Sequence, residues 1–295
     1  MKMIIHPLYF FSILILAVSG CSSDENTTEP QNETPLAAET MLNVSYGSSP
    51  QQAYDIYLPE GRTAEKTKVL LLVHGGGWTS GDKADMTATV TLLEGTHPNH
   101  AIVNINYVLA ALPNTPAFPN QFLDLKAAID KLTNERETLQ IKPEFGMIGV
   151  SAGAHLSLMY DFVYDSTDQV KFVADIVGPS DFTDPFYVND PQFQLALNFL
   201  VDASQYPNGT NLAEAISPAK QVSASSSPAL LFYGTVDPLV PLSNGESLDT
   251  ALTQNNIEHI FSVYEGGHGN DWSEADNQDL QDKISTYINT YLVID

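Results

Sequence analysis

Phe145-Gly146-Met147-Ile148-Gly149-Val150-Ser151-Ala152-Gly153-Ala154-His155-Leu156-Ser157-Leu158 is the stretch from which the rest of the chain is read. Its first six residues form a short apolar run suited to a strand covered on both faces. From Ala152 onward the composition turns helical. Between them lies G-x-S-x-G, a pattern that recurs by chance and carries weight only in context. A strand ending in a tight turn and opening a helix is that context. Such a turn forces its serine into a strained conformation, with glycines on either side removing Cβ atoms that would clash. The hydroxyl of Ser151 then projects outward, and the helix N-terminus behind it favours developing negative charge.

Outward from this segment, apolar runs recur at residues 68–73, 101–105, 172–177, 229–233 and 259–264. The segment 53–58 (A-Y-D-I-Y-L) alternates like a strand and stops at Pro59. Helical segments fall at 121–137, 152–163, 243–255 and 273–292. Strands alternating with helices predict an α/β domain with a mostly parallel central sheet and helices on both faces. Residues 181–227 break the alternation, with many aromatics and prolines and a helical patch near 194–200. They are expected to form a small helical cap over the site; an ordinary crossover with long loops is the alternative.

Two further segments carry chemistry. His74-Gly75-Gly76-Gly77-Trp78 follows the apolar strand at 68–73. No Gly-Lys-Ser/Thr follows, so phosphate cradling is disfavoured. Exposed N–H groups of Gly76 and Gly77, with that of Ala152, would converge on the oxyanion of a tetrahedral intermediate. Asp237, in G-T-V-D-P, lies just beyond the strand at 229–233, and His268, in G-G-H-G, lies beyond the strand at 259–264. A parallel sheet delivers both to the edge that carries Ser151. His268 would take the Ser151 proton and return it to the leaving group, and Asp237 would orient the imidazole.

Each assignment has competitors. His155 sits four residues past Ser151 and suits helix packing or hydrogen bonding, while His74 belongs to the loop that must present amides and reads as structural. Glu265 and Asp271 lie too near His268 in sequence to orient it from behind. His97 and His100 form H-x-x-H without a third ligand, and no H-E-x-x-H is present. No metal and no cofactor is expected.

The remaining bounds come from the whole chain. Its 295 residues allow one large domain with a substantial core. Twelve Lys and Arg stand against 36 Asp and Glu, a net charge of −24, which repels nucleic acid and polyanionic substrates. Residues 1–20 have the form of a secretory signal, a basic start and an apolar run ending in Val18-Ser19-Gly20 before Cys21. Small residues directly before a cysteine resemble the bacterial lipobox, which implies lipidation at Cys21; an uncleaved membrane anchor is the alternative, for which the run is short. Cys21 is the only cysteine, so the folded part holds no disulfide, cysteine metal site or thiol nucleophile. Ser22-Ser23-Asp24-Glu25 resembles the acidic export tag of Bacteroidetes-type surface lipoproteins, with an ordinary acidic linker as the alternative. Residues 21–40 read as a flexible tether and 41–295 as the folded domain, in a periplasmic or surface-exposed lipoprotein of the bacterial cell envelope.

Taken together, H-G-G-G-W, G-V-S-A-G-A-H-L, G-T-V-D and G-G-H-G, in the order Ser, Asp, His, resemble the α/β-hydrolase fold. They are most similar to hormone-sensitive-lipase-like bacterial esterases, and within these to the bifunctional acetylxylan/feruloyl esterase group of carbohydrate esterases. Phe118-Pro119-Asn120-Gln121 and Ser217-Pro218-Ala219 fit the same resemblance, which spans about residues 52–291. Val108 stands where relatives usually carry Arg, and Ala154 where a second Gly is common. The resemblance implies a serine carboxylic ester hydrolase acting on short-acyl or carbohydrate-linked esters, with acetylated xylan as one substrate. A dipeptidyl or exopeptidase-like hydrolase of the same fold, or a non-catalytic glycan-binding lipoprotein, are the alternatives. Oligomeric state is not readable.

Overall fold

A computed structural model describes residues 35–294; the expected signal segment 1–20, Cys21 and most of the expected tether lie outside the described residues. Eight strands form one sheet: β1 Glu39–Ser45, β2 Ala53–Leu58, β3 Val69–Val73, β4 Ala101–Ile105, β5 Phe145–Val150, β6 Val170–Ile176, β7 Ala229–Gly234 and β8 His259–Tyr264. Their order is β1-β2-β4-β3-β5-β6-β7-β8. β1/β2 and β2/β4 pair antiparallel, and every pair from β4/β3 to β7/β8 is parallel. The strands β3 and β4 are buried at every position, as their continuous apolar runs require.

Nine α-helices are described: α1 Thr87–Thr96, α2 Asn120–Asn134, α3 Arg136–Leu139, α4 Ala152–Met159, α5 Pro185–Val188, α6 Pro191–Leu200, α7 Leu212–Ala215, α8 Leu242–Gln254 and α9 Glu274–Tyr291. Alternate strand residues split the core into two layers. Leu71, Val103 and Met147 face one layer with residues of α2, α4 and α8. Leu70, Ile102 and Ile148 face the other with residues of α1 and α9. The architecture is thus an α/β-hydrolase fold with both sheet faces covered.

Several elements differ from the sequence expectation. The predicted helix 121–137 is broken into α2 and α3, and the one over 152–163 ends its α-helical part at Met159 and continues as a π turn, Tyr160–Tyr164. β1 begins at Glu39, where residues 35–40 were expected to be tether. Arg62 binds the Ala37 carbonyl and the Glu39 carboxylate there and ties this segment to the domain. The 181–227 interval contains α5, α6 and α7. An isolated bridge from Val201 to Phe118 joins it to the segment before α2.

Candidate active site

Ser151 occupies the turn between β5 and α4 with φ 53° and ψ −119°, a region that L-residues enter only under constraint. The constraint comes from packing on both sides of the turn. A Cβ on Gly153 would lie 2.2 Å from the Val73 carbonyl oxygen, so only glycine lets α4 sit this close to β3. The Ser151 N–H donates to the Ile176 carbonyl of β6 at 2.8 Å, which anchors the turn to its neighbouring strand.

The loops after β7 and β8 bring the other two residues to the serine. His268 Nε2 lies 2.9 Å from Ser151 Oγ, and His268 Nδ1 lies 2.6 Å from Asp237 Oδ2. The second carboxylate oxygen, Oδ1, accepts from the Leu239 N–H at 2.8 Å and the Val240 N–H at 3.0 Å. Burial alone would raise the Asp237 carboxyl. The bonds from His268 and from the two N–H groups outweigh that and hold it below the ordinary aspartate value. An ionised Asp237 accepts from His268 Nδ1–H, so Nε2 is the nitrogen left to accept from Ser151. Glu265 is an exposed residue, and Asp271 instead accepts from the Gly267 N–H at 2.8 Å, inside the histidine loop.

The glycine run takes up left-handed backbone: φ is 117° at Gly76, 57° at Gly77 and 64° at Trp78. A Cβ on Gly76 would sit 2.0 Å from the Ser80 carbonyl oxygen, so no other residue fits. Among the described residues no hydrogen-bond partner takes the N–H of Gly76 or Gly77. Gly77 and Ala152 border the same cavity as Ser151, whereas Gly76 stands one residue back. This cavity, of about 330 Å³, is walled by Trp78, Phe186, Tyr187 and Phe193 and by the loop 238–240. The insertion therefore supplies one wall of the cavity through α5 and α6. A second cavity, of about 490 Å³, lies on the other sheet face between α1 and α9; His268 borders it but Ser151 does not.

His74 is buried and stacks on Tyr107 at 4.4 Å, with Nδ1 2.7 Å from the Gly75 carbonyl. Burial lowers its pKa, and its ring serves the loop. His100 donates to the Leu292 carbonyl at 2.9 Å, and among the described residues no group of three His, Cys, Asp or Glu is placed to hold a metal. Three hydrogen bonds have partners that the sequence did not indicate, although His155 was expected in a hydrogen-bonding role. Gln121 Nε2, fully buried in α2, donates to the Trp78 carbonyl at 2.8 Å and to the Val108 carbonyl at 2.9 Å. Trp78 in turn donates its indole N–H to His155 Nδ1 at 3.2 Å. Gln121 ends Phe118-Pro119-Asn120-Gln121, in which nothing local signals a partner 43 residues away.

The sequence profile of the BD-FAE family matches residues 54–252. Esterase LipC of Mycobacterium tuberculosis is 23% identical over 249 residues, which are 77% of this chain and 59% of LipC. The chain thus spans about three fifths of that relative's length. Among solved structures, a truncated carbohydrate esterase from gut microbiota superposes with a TM-score of 0.65 at 20% identity, covering 88% of this chain and 98% of its own. Esterase 2 of the planctomycete Thermogutta terrifontis does so with a TM-score of 0.69 at 19% identity, covering 86% and 92%. LipC and these two solved structures are esterases, and the serine–histidine–aspartate arrangement here is of the serine-hydrolase kind.

Proposed function

The chain belongs to the BD-FAE family and has the α/β-hydrolase fold, and on that premise we propose that it is a serine carboxylic ester hydrolase working through an acyl-enzyme at Ser151. The observation that carries the reading is the continuous relay Ser151–His268–Asp237, at 2.9 and 2.6 Å, beside a cavity that also meets Gly77 and Ala152.

In the first half-reaction the Ser151 Oγ–H donates its proton to His268 Nε2 as the oxygen attacks the ester carbonyl. The carbonyl oxygen gains charge and is met by the N–H groups of Gly77 and Ala152, with Gly76 behind them. Losing one such donor typically costs about two to three orders of magnitude in rate. The tetrahedral intermediate collapses as the C–O bond to the alcohol breaks, and His268 gives the departing oxygen its proton. Asp237 stays ionised throughout and stabilises the imidazolium. Water then repeats the sequence on the acyl-enzyme and releases the acid.

The substrates we assign are short-acyl or carbohydrate-linked esters, acetylated xylan among them. Family membership supports this class, and the net charge of −24 disfavours polyanionic esters. Hydrolysis of p-nitrophenyl acetate by the wild type and by Ser151→Ala tests the chemistry. We expect a loss of at least about three orders of magnitude in the variant. A wild type without activity overturns the esterase reading, and a fully active variant overturns the nucleophile. Acetate release from acetylated xylan tests the substrate class separately.

A further inference from the structure

We propose that His155 is a positioning residue for the site described above, holding Trp78, and through it the Gly76–Gly77 turn, to the nucleophile helix. The proposal rests on the esterase reading for its kinetic consequence and on geometry for everything else.

His155 lies in the first turn of α4, its side chain fully buried. Its two nitrogens have chemically fixed partners. An indole N–H only donates, so Nδ1 accepts from Trp78 at 3.2 Å. A carbonyl only accepts, so Nε2 carries the hydrogen and donates to Ile216 at 2.8 Å. One tautomer alone satisfies both. Trp78, Phe118 and Phe182 stand edge-on around the ring at 5.1 to 5.5 Å. Burial pushes the imidazole down to about 4, against a smaller opposing effect of the Ile216 bond, so the neutral form persists at ordinary pH.

What His155 holds is under strain. Trp78 is a bulky residue with φ 64°, and it directly follows the glycines that present the free N–H groups. Its carbonyl is fixed by Ala110 and Gln121 at 2.9 and 2.8 Å, and its indole by His155 alone among the described residues. The other arm of His155 reaches the insertion at Ile216, just before Ser217, whose hydroxyl accepts from the Phe182 N–H. One ring thus joins the oxyanion loop, the nucleophile helix and the segment walling the cavity.

The test compares His155→Phe, His155→Asn and Trp78→Phe. Phenylalanine keeps the ring shape and loses both bonds, whereas the Asn Oδ1 falls where Nδ1 stood and can accept from the indole again. With p-nitrophenyl acetate, His155→Phe is expected to lose about tenfold to a hundredfold in kcat with KM changed less than about threefold, because misplaced oxyanion donors act on the transition state. His155→Asn should recover most of that loss. The emission of Trp78, taken as wild type minus Trp78→Phe, should shift in His155→Phe and return in His155→Asn. A folded His155→Phe with wild-type kcat and unchanged emission overturns the proposal. Where His155→Phe fails to fold, the cycle of Trp78→Phe, His155→Gln and their double variant decides, because Gln keeps a donor for Ile216 and loses the acceptor for the indole: non-additive effects on kcat support the coupling, and simple additivity refutes it. A wild type without ester hydrolysis sinks the esterase reading instead, and the emission comparison still tests the Trp78–His155 bond.

Discussion

At the scale of single residues, Asp175 shows how much chemistry a strand interior conceals. It lies fully buried in β6, and its Oδ1 accepts from the Gly178 N–H at 2.8 Å. The Tyr233 hydroxyl lies 2.7 Å from Asp175 Oδ2 and 2.6 Å from the Gly178 carbonyl, two acceptors for one hydrogen. A protonated carboxyl removes the conflict, since it donates to Tyr233 and frees that hydroxyl for Gly178. Burial pushes Asp175 up to about 7, against about 3.9 in an unfolded chain. The unfolded state therefore loses its proton first as pH rises, so stability falls between about pH 4 and pH 7 and stays at the lower level above that, a difference on the order of 4 kcal/mol. Asparagine reproduces every bond without the ionisation. The melting temperature of Asp175→Asn minus that of wild type should rise from pH 4 to 7 and then level off; a difference that ignores pH would refute the protonated carboxyl. His155, held down to about 4, works the other way. Its unfolded counterpart takes up a proton below about 6.5, so its own contribution to stability is lost as pH falls from there to about 4. Ser151, Asp237 and His268 were readable because each follows a strand in a fixed chain order. The links Trp78–His155 and Gln121–Trp78 were not, because they span 77 and 43 residues and no local pattern records them.

At the scale of elements, legibility followed burial. The strands β3 to β7 are buried almost throughout, and their uninterrupted apolar runs announced them. β1 escaped notice because it is largely exposed, so its sequence carries no alternation; its pairing with β2 makes it a strand. α1 escaped for a different reason. TATVTLLEGT is rich in Thr with Val and Gly, residues of low helix propensity. Tertiary packing of Val90 and Leu93 overrides that preference, helped by the preceding turn, which Asp82 caps. Lys83 in that turn also pairs with Asp55 of β2 at 2.8 Å. By contrast α9 was legible at its start, where Ser273 and Asp276 form a reciprocal cap. In the insertion the patch at 194–200 falls within α6 as expected, but the four-residue α5 is too short to show periodicity and derives its order from aromatic contacts, such as Tyr187 on Phe193 at 4.4 Å.

For the whole molecule, sequence alone supplied the fold class, the sheet edge that carries the chemistry and the acidic surface. The two cavities were beyond it, since each is closed by segments far apart in the chain. Among the described residues no helix is long and apolar enough to cross a membrane. Attachment to the envelope, which we infer from residues 1–21, rests on a lipid at Cys21. Expressed in a bacterium fed a radiolabelled or clickable fatty acid, the full chain should incorporate label and fractionate with membranes, and Cys21→Ser should do neither. Equal labelling of both would remove the anchor from the account.

The backbone at Ser151, with φ 53° and ψ −119°, sets the nucleophile against the stability of its own turn. Such a conformation costs about 1–3 kcal/mol for a residue with a side chain, whereas glycine adopts it freely and gives back about 0.5–1 kcal/mol through its looser unfolded chain. Ser151→Gly should thus gain on the order of 1 kcal/mol, which is about 2–4 °C in melting temperature for a domain near this size. On the esterase reading that strain is what holds the hydroxyl out of the turn, and a Ser151→Gly variant no more stable than the wild type would show that the turn stores none.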